Sequence, residues 1–318
     1  MEARNPRPDE SCGLQPPRFG PAASHQRRRA IAMLLTGRDR PDDPSVADFL
    51  RQAKREGISL DRLWLAQAGD RPIAAALLVP CAGRTGAAFL GPIGNDAAQA
   101  PAAGMLAAMV QTEDPGQLRI VQALLDPDRQ QREAATFEAA GFQRLAHLLY
   151  MERSTPAEPA PLELPPGMEV IAWSESRRPR FEQAILASYE DTLDCPGLLG
   201  LRHIGDIVEG HMSTGRFLPE LWLCLLREGE PVGVMLLNLL PQRQAMELVY
   251  LGLAPAVRRM GLSRRLLAHG LGLCRRHRAT SMVLAVDEAN TPAVRLYQGL
   301  QFRGTARKLA MVRPVPQR

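Results

Sequence analysis

Hydrophobic positions in the second half of the chain fall into two alternating periods. Met168 to Trp173 reads as a strand, and Phe181, Ile185 and Tyr189 then recur at helical spacing, as do Leu201, Ile204, Val208 and Met212. Leu221 to Arg227 and Pro231 to Leu240 form two apolar runs around Glu228-Gly229-Glu230, which predicts a hairpin. Glu247 to Ala254 reads as a strand, and Leu262, Leu266, Gly270, Leu271 and Cys274 trace one face of a helix. Met282 to Val286 is a short strand, Asn290 to Leu300 a capped helix, and Arg303 to Val312 closes with one or two strands. The predicted order is β-α-α-β-β-β-α-β-α-β, a mixed sheet with helices on both faces.

The first half gives a weaker copy. Helices are predicted at Arg28 to Leu35 and Val46 to Arg55, followed by a hairpin and a strand at Ala87 to Ile93. A helix around Pro101 to Val110, a strand at Leu118 to Leu125 and a helix at Gln130 to Ala140 complete it, with no visible opening strand. Two blocks match across the halves. Leu63-Trp64-Leu65 corresponds to Leu221-Trp222-Leu223 at an offset of 158, and Phe137 with Phe142 corresponds to Tyr297 with Phe302 at an offset of 160. Nearly equal offsets at both ends argue for duplication of a whole domain.

The expected organisation is an irregular tail over residues 1–26, a first domain over 27–153, a proline-rich linker over 154–167 and a second domain over 168–318. The fold class is α/β (α+β), with two tandem domains that each carry a mostly antiparallel twisted sheet. Composition narrows the function. Net charge is +5, and basic segments interleaved with aromatics are absent, so no nucleic-acid partner is expected. Five cysteines at irregular spacing make no disulfide framework and predict a reducing, cytoplasmic setting. No apolar run approaches the ~18 to 20 residues of a membrane helix, so no membrane partner is expected either. The six histidines have no metal-ligand spacing, and no metal is implied.

The chemistry concentrates after the strand at Glu247. That strand runs into Pro255, then Arg258, Arg259, Met260, Gly261, Leu262 and Ser263, where the next helix opens. Unpaired N–H groups at a helix start favour an anion, Gly261 lets the backbone approach it closely, and the arginines add charge. Read locally, this is either a phosphate cradle or an ordinary strand-to-helix turn. Downstream, Asn290 caps a helix whose Ala293, Leu296, Tyr297 and Leu300 share a face.

Together these segments resemble the GNAT superfamily of N-acetyltransferases. Arg258, Gly261 and Ser263 stand at the places of its Arg/Gln-x-x-Gly-x-Gly/Ala loop, with serine as a departure in the last. Asn290, Ala293, Leu296 and Tyr297 match its Asn-x-x-Ala-x-x-Leu-Tyr motif, and Gln301 replaces the usual glycine before Phe302. The resemblance implies acetyl-CoA as co-substrate, gripped by residues 258–263 and Asn290, with its pantetheine arm along Leu251, Gly252 and Leu253. It implies Tyr297 as the acid that protonates the departing thiolate and Glu247 as the base that deprotonates the amine. Glu190, Asp191 and Asp194, in the loop between the two opening helices, are expected to attract a small-molecule or peptide amine.

In the first half Phe137 takes the place of Tyr297, and Gly94-Asn95-Asp96-Ala97-Ala98 offers no arginine where the phosphate loop would lie. That half is expected to be degenerate, an arrangement similar to tandem acetyltransferases such as mycothiol synthase. The expected activity is direct acetyl transfer from acetyl-CoA to an amine. The alternative is a catalytically weak CoA-binding or scaffold protein of the same fold.

Overall fold

The computed structural model describes residues 16–155 and 161–317. Among them the elements run through one order twice. The first round comprises β1 (Arg18–Pro21), α1 (Arg27–Thr36), α2 (Pro44–Glu56), β2 (Leu63–Ala68), β3 (Arg71–Cys81), β4 (Thr85–Leu90), α3 (Gln99–Gln111), β5 (Ile120–Leu125), α4 (Gln131–Ala139) and β6 (Gln143–Ser154). The second comprises β7 (Met168–Ala172), α5 (Arg178–Ser188), α6 (Ile204–Ser213), β8 (Trp222–Arg227), β9 (Glu230–Leu240), β10 (Ala245–Leu253), α7 (Leu262–Arg276), β11 (Ser281–Asp287), α8 (Thr291–Gly299) and β12 (Arg303–Pro314). Corresponding late elements match in length: α4 and α8 have 9 residues each, β6 and β12 have 12 each. The closing segment is thus one strand.

Two compact units divide the chain. One holds the residues up to Leu78 with Phe89–Met109, the other Val79–Ala88 with Val110 onward. In the first, β1 pairs antiparallel with β2, Arg18 opposite Gln67, and β2 pairs antiparallel with β3. Residues 18–21, expected within an irregular tail, therefore supply the opening strand; residues 1–15 of that tail lie outside the described residues. Four residues with three exposed carry no alternation, so main-chain pairing alone defines this strand.

In the second unit the strand order is β4-β5-β12-β6-β11-β10-β9-β8-β7. Pairings are parallel for β4 with β5 and for β10 with β11, and antiparallel elsewhere. The closing strands of the two rounds are exchanged. Strand β12 lies against β5 of the first round, with Leu309 opposite Leu125, and β6 lies against β11 of the second, with Leu284 opposite Met151. Residues 79–88 join this unit through close packing on α6. A Cβ on Gly83 would sit 2.0 Å from the Asp206 carbonyl oxygen, and Arg84 forks onto the Asp206 carboxylate at 2.8 and 2.7 Å.

Alternating side chains feed two cores. On one face Met246, Leu248, Leu284, Val286 and Met151 meet Leu266, Leu267 and Leu271 of α7 and Tyr297 of α8. Each of those buried leucines contributes about 1.5–3 kcal/mol by leaving water. Leu162 and Leu164 pack on this core too; they belong to the segment read as a linker, of which 156–160 fall outside the described residues. On the other face Trp173, Phe181, Ile185, Val208 and Trp222 join α5 and α6 to β7–β9. Asn238, fully buried there, accepts from Trp222 Nε1 at 2.9 Å and donates to the carbonyl oxygens of His211 and Thr214.

Candidate active site

Strands β10 and β11 pair from Ala245 opposite Ser281 to Leu248 opposite Leu284, and there the pairing stops. Strand β10 continues to Leu253 and β11 to Asp287. The two part where β10 carries a bulge against β9, between Leu248 and Tyr250. An extra residue bends a strand and increases its twist, so β10 turns away from its parallel neighbour. The opening is a cavity of about 720 Å³, bounded by the far ends of both strands, the loop into α7, the start of α8 and the loop after α5. Leu251, Gly252 and Leu253 line it as expected, and the side of β10 that faced β11 has lost its ladder partner.

Gly252 has a steric reason to be glycine. A Cβ there would lie 2.4 Å from Ser188 Oγ and 2.7 Å from a Tyr250 ring carbon, so the end of α5 rests directly on β10. At the opposite end of the cavity, Gly261 is the N-cap of α7 at φ +74°, with Arg259 also left-handed at φ +63°. Leu262 and Ser263 follow and, with Arg259 and Gly261, line the cavity. Among the described residues no side chain caps α7, and its first main-chain bond is Arg265 N–H to the Gly261 carbonyl. The N–H groups before it therefore have no partner within the helix and carry the positive end of its dipole. Met260 is 43% exposed and stands outside the lining.

Arg258 lines the cavity, and its side chain also ties two elements together. It donates to the carbonyl oxygens of Leu253 at 2.9 Å and Ser188 at 3.1 Å, and also to those of Glu190 and Asp191. The guanidinium thus braces the end of β10 against the end of α5 while it lines the cavity.

Helix α8 starts as read. Asn290 Oδ1 accepts from the Ala293 N–H at 3.3 Å, Pro292 occupies the first turn, and Asn290, Ala293, Leu296 and Tyr297 line the cavity. Tyr297 is buried and meets Phe302 edge-on at 5.8 Å. Burial raises its phenol, and the negative charge of Asp194 raises it further, so it keeps its proton at neutral pH. In the first round Phe137 holds the same pose against Phe142 at 4.8 Å with no hydroxyl, and the Asn95 side chain caps the N–H of Ala98.

The acidic loop separates into three fates. Glu190 is exposed and outside the lining, Asp191 lines the cavity in a left-handed conformation, and Asp194 lines it while accepting from the Asp287 N–H at 3.2 Å. Asp287 returns the bond by accepting from the Cys195 N–H at 3.2 Å, which clasps the loop to the end of β11. Crowding by protein atoms raises the Asp194 carboxyl, and the charge of Asp287 adds to it. Crowding and the same two carboxylates push the Cys195 thiol up to about 12, so it stays protonated.

Glu247 stands on β10 outside the cavity lining, half-buried, on the face that carries α5 and α6. Burial raises its carboxyl and Arg243 draws it partly back. Sequence reading missed Tyr250, which lines the cavity and shares a 2.8 Å hydrogen bond with Ser188 Oγ. Its ring stacks on His211 at 5.5 Å and meets Tyr189 edge-on at 6.0 Å. Strict alternation puts Tyr250 with Leu248 on the α7 face; the bulge at Val249 turns it to the other face, and no residue type there announces a bulge. Among the described residues no group of three His, Cys, Asp or Glu is placed to hold a metal ion, and no helix is long and apolar enough to cross a membrane.

A mixed α/β chain with a large, mostly antiparallel sheet, helices, and a cleft where two parallel strands part is of the GNAT fold class. Residues 183–302 match the family model described as the Acetyltransferase (GNAT) family, which supports assigning this segment to the GNAT acetyltransferases. Among solved structures, the chain is similar in fold to a GCN5-related N-acetyltransferase from Sphaerobacter thermophilus, at 19% identity and TM-score 0.58, over 95% of this chain and 98% of that one. A tandem GNAT protein from the clavulanic acid biosynthesis pathway aligns at 14% identity and TM-score 0.48, over 95% and 100%. No curated protein matches the sequence.

Proposed function

We propose that the protein is an acetyl-CoA-dependent N-acetyltransferase that passes an acetyl group directly to a small-molecule or peptide amine. One observation carries the reading: the unpaired edge of β10 leads straight to the uncapped mouth of α7 at Gly261, inside a single cavity that Tyr297 also lines. The N–H groups of residues 261–264 fit a diphosphate, and Gly261 leaves their approach open, since a Cβ there would meet nothing within 4 Å.

Acetyl-CoA, when bound, supplies an activated thioester. The chain's own groups do the rest. The free edge of β10 at Leu251 to Leu253 orients the pantetheine arm as an added strand and offers an N–H to the thioester oxygen, where negative charge develops. Glu247 accepts the proton of the amine, directly or through water. Tyr297, held protonated by its surroundings, donates its O–H to the departing thiolate. Asp191 and Asp194 give the acceptor side of the cavity a negative wall that favours a cationic amine.

The test is thiol release from acetyl-CoA with a panel of simple primary amines, amino sugars and peptides with free N-termini, beside a direct measurement of CoA binding. Tyr297→Phe is expected to lower kcat by about 100-fold or more while CoA binding holds. CoA binding with no turnover on any amine favours the binding-protein alternative, and absence of CoA binding overturns the reading altogether.

A further inference from the structure

Strand β6 belongs by sequence to the first round of elements, yet it lies against β11, one wall of the cleft. Directly opposed residues of neighbouring strands share a face of the sheet. Glu247 opposes Val283 on β11, Val283 opposes Glu152 on β6, and two residues along β11 Ala285 opposes Tyr150. The intervening row, Leu248, Leu284 and Met151, points into the core under α7 and α8. Tyr150 and Glu247 therefore stand on the opposite face, the one to which α5 and its loop belong. That loop, which carries Asp191 and Asp194, also reaches the start of β6, where a Cβ on Gly197 would lie 3.0 Å from Leu145 Cδ1.

The two side chains feel one another. Burial raises the Tyr150 phenol and the charge of Glu247 raises it further. Both residues are half-buried, and among the described residues neither the Tyr150 hydroxyl nor the Glu247 carboxylate has a hydrogen-bond partner. Neither side chain's oxygens are among the atoms sealed from solvent without a partner, so they stand open to an incoming group, and a phenol beside a carboxylate has complementary capacity: a group that both donates and accepts against an acceptor-only group. An amine nitrogen brought to Glu247 would find the Tyr150 oxygen as a second anchor for an N–H.

We propose that Tyr150, delivered by the exchanged strand β6, is a positioning residue for the acceptor, its hydroxyl oxygen accepting a hydrogen bond from the amine that Glu247 deprotonates. This rests on the acetyl-transfer reading above. The first round of elements then supplies a residue to a site otherwise built from the second, and Phe137 and Asn95 describe only what that round lacks.

The experiment uses the full chain and whichever amine of the panel turns over best with the wild type. Tyr150→Phe is expected to raise the KM for that amine about tenfold, the size of one neutral hydrogen bond, with kcat changed less than about threefold and the KM for acetyl-CoA unchanged. In the Glu247→Gln background the same substitution is expected to raise the amine KM less than about threefold, because the two groups act on one nitrogen. An unchanged amine KM in Tyr150→Phe overturns the inference while leaving acetyl transfer intact. A parallel rise in the acetyl-CoA KM with a lower Tm also overturns it, by showing that the ring only supports the sheet. A wild-type chain silent on every amine removes both readings.

Discussion

The guanidinium of Arg258 donates to the carbonyl oxygen of Ser188, the last residue of α5, at 3.1 Å, while its Nε holds the carbonyl of Leu253 at the end of β10. Carbonyls at a helix C-terminus lack partners within the helix and carry its negative end, so a fork of donors suits them. Lysine offers a point charge and cannot span the same set. Arg258→Ala is expected to cost about 2 kcal/mol and to raise the KM for both acetyl-CoA and the amine, since it frees two walls of the cavity at once. Arg258→Lys should recover less than half of that loss. Thermal melts and two-substrate kinetics check both statements.

Glu247 fixes the expected pH dependence. Its carboxyl is raised above the ordinary carboxylate value by burial, and only its ionised form accepts a proton. Activity through this group must rise with pH and level off above the raised pKa. The acidic limb of kcat/KM for the amine is therefore expected above pH 4.5, the ordinary glutamate value. Glu247→Gln is expected to abolish that limb and to lower the plateau by about 100-fold. A profile that keeps its limb in Glu247→Gln assigns the base elsewhere.

The exchange of β6 and β12 bears on how the chain can be cut. A fragment of residues 168–318 keeps every strand of the second round but loses β6, which pairs with both β11 and β12. It also loses Met151, which is 2% exposed and sits in the core with Leu284 and Tyr297. Strand β5 goes with β6, so β12 is left without a neighbour on either side, β11 has a bare edge, and the core has a gap. The fragment is expected to aggregate or to lack a cooperative melt, where the full chain stays soluble and melts in one or more sharp transitions. Size exclusion and circular dichroism decide it.

How much of this was legible depends on what leaves a trace in one sequence. The helices α5 to α8 and strands β8 to β12 each bury residues in the core, so their periods are written in residues such as Phe181, Ile185, Leu266 and Leu271. Gly261, Asn290 and Tyr297 were readable because a left-handed cap, a side-chain cap and a shared helical face demand particular residue types. Strand β1 was not, because an exposed edge of four residues needs only backbone pairing. Neither was the strand exchange: β6 and β12 have the same length, and no residue type announces which of them lies against β5 and which against β11. The bracing role of Arg258 was hidden for a different reason. Sequence gives its charge but not the Ser188 and Glu190 carbonyls, which lie 70 and 68 residues away along the chain.

His211 makes the last prediction. Its ring stacks on Tyr250 at 5.5 Å, and among the described residues its Nε2 is sealed from solvent with no hydrogen-bond partner, although part of the residue reaches the surface. Burial pushes its pKa down to about 3, and the charge of Arg202 pushes the same way. An unfolded chain takes up this proton near pH 6.5, whereas the folded chain refuses it down to about 3. The folded state thus gains its full advantage from this group above pH 6.5 and loses it progressively as pH falls towards 3. At pH 5 the loss is about 2 kcal/mol, a figure insensitive to where below 4 the folded value lies. His211→Phe keeps the stacked ring and removes the titration. Its Tm is expected to match or exceed the wild type at pH 7.5 and to fall less on moving to pH 5, with the carboxylates common to both chains cancelling in the comparison. Equal falls for the two proteins would show that His211 titrates in the folded state as it does in water.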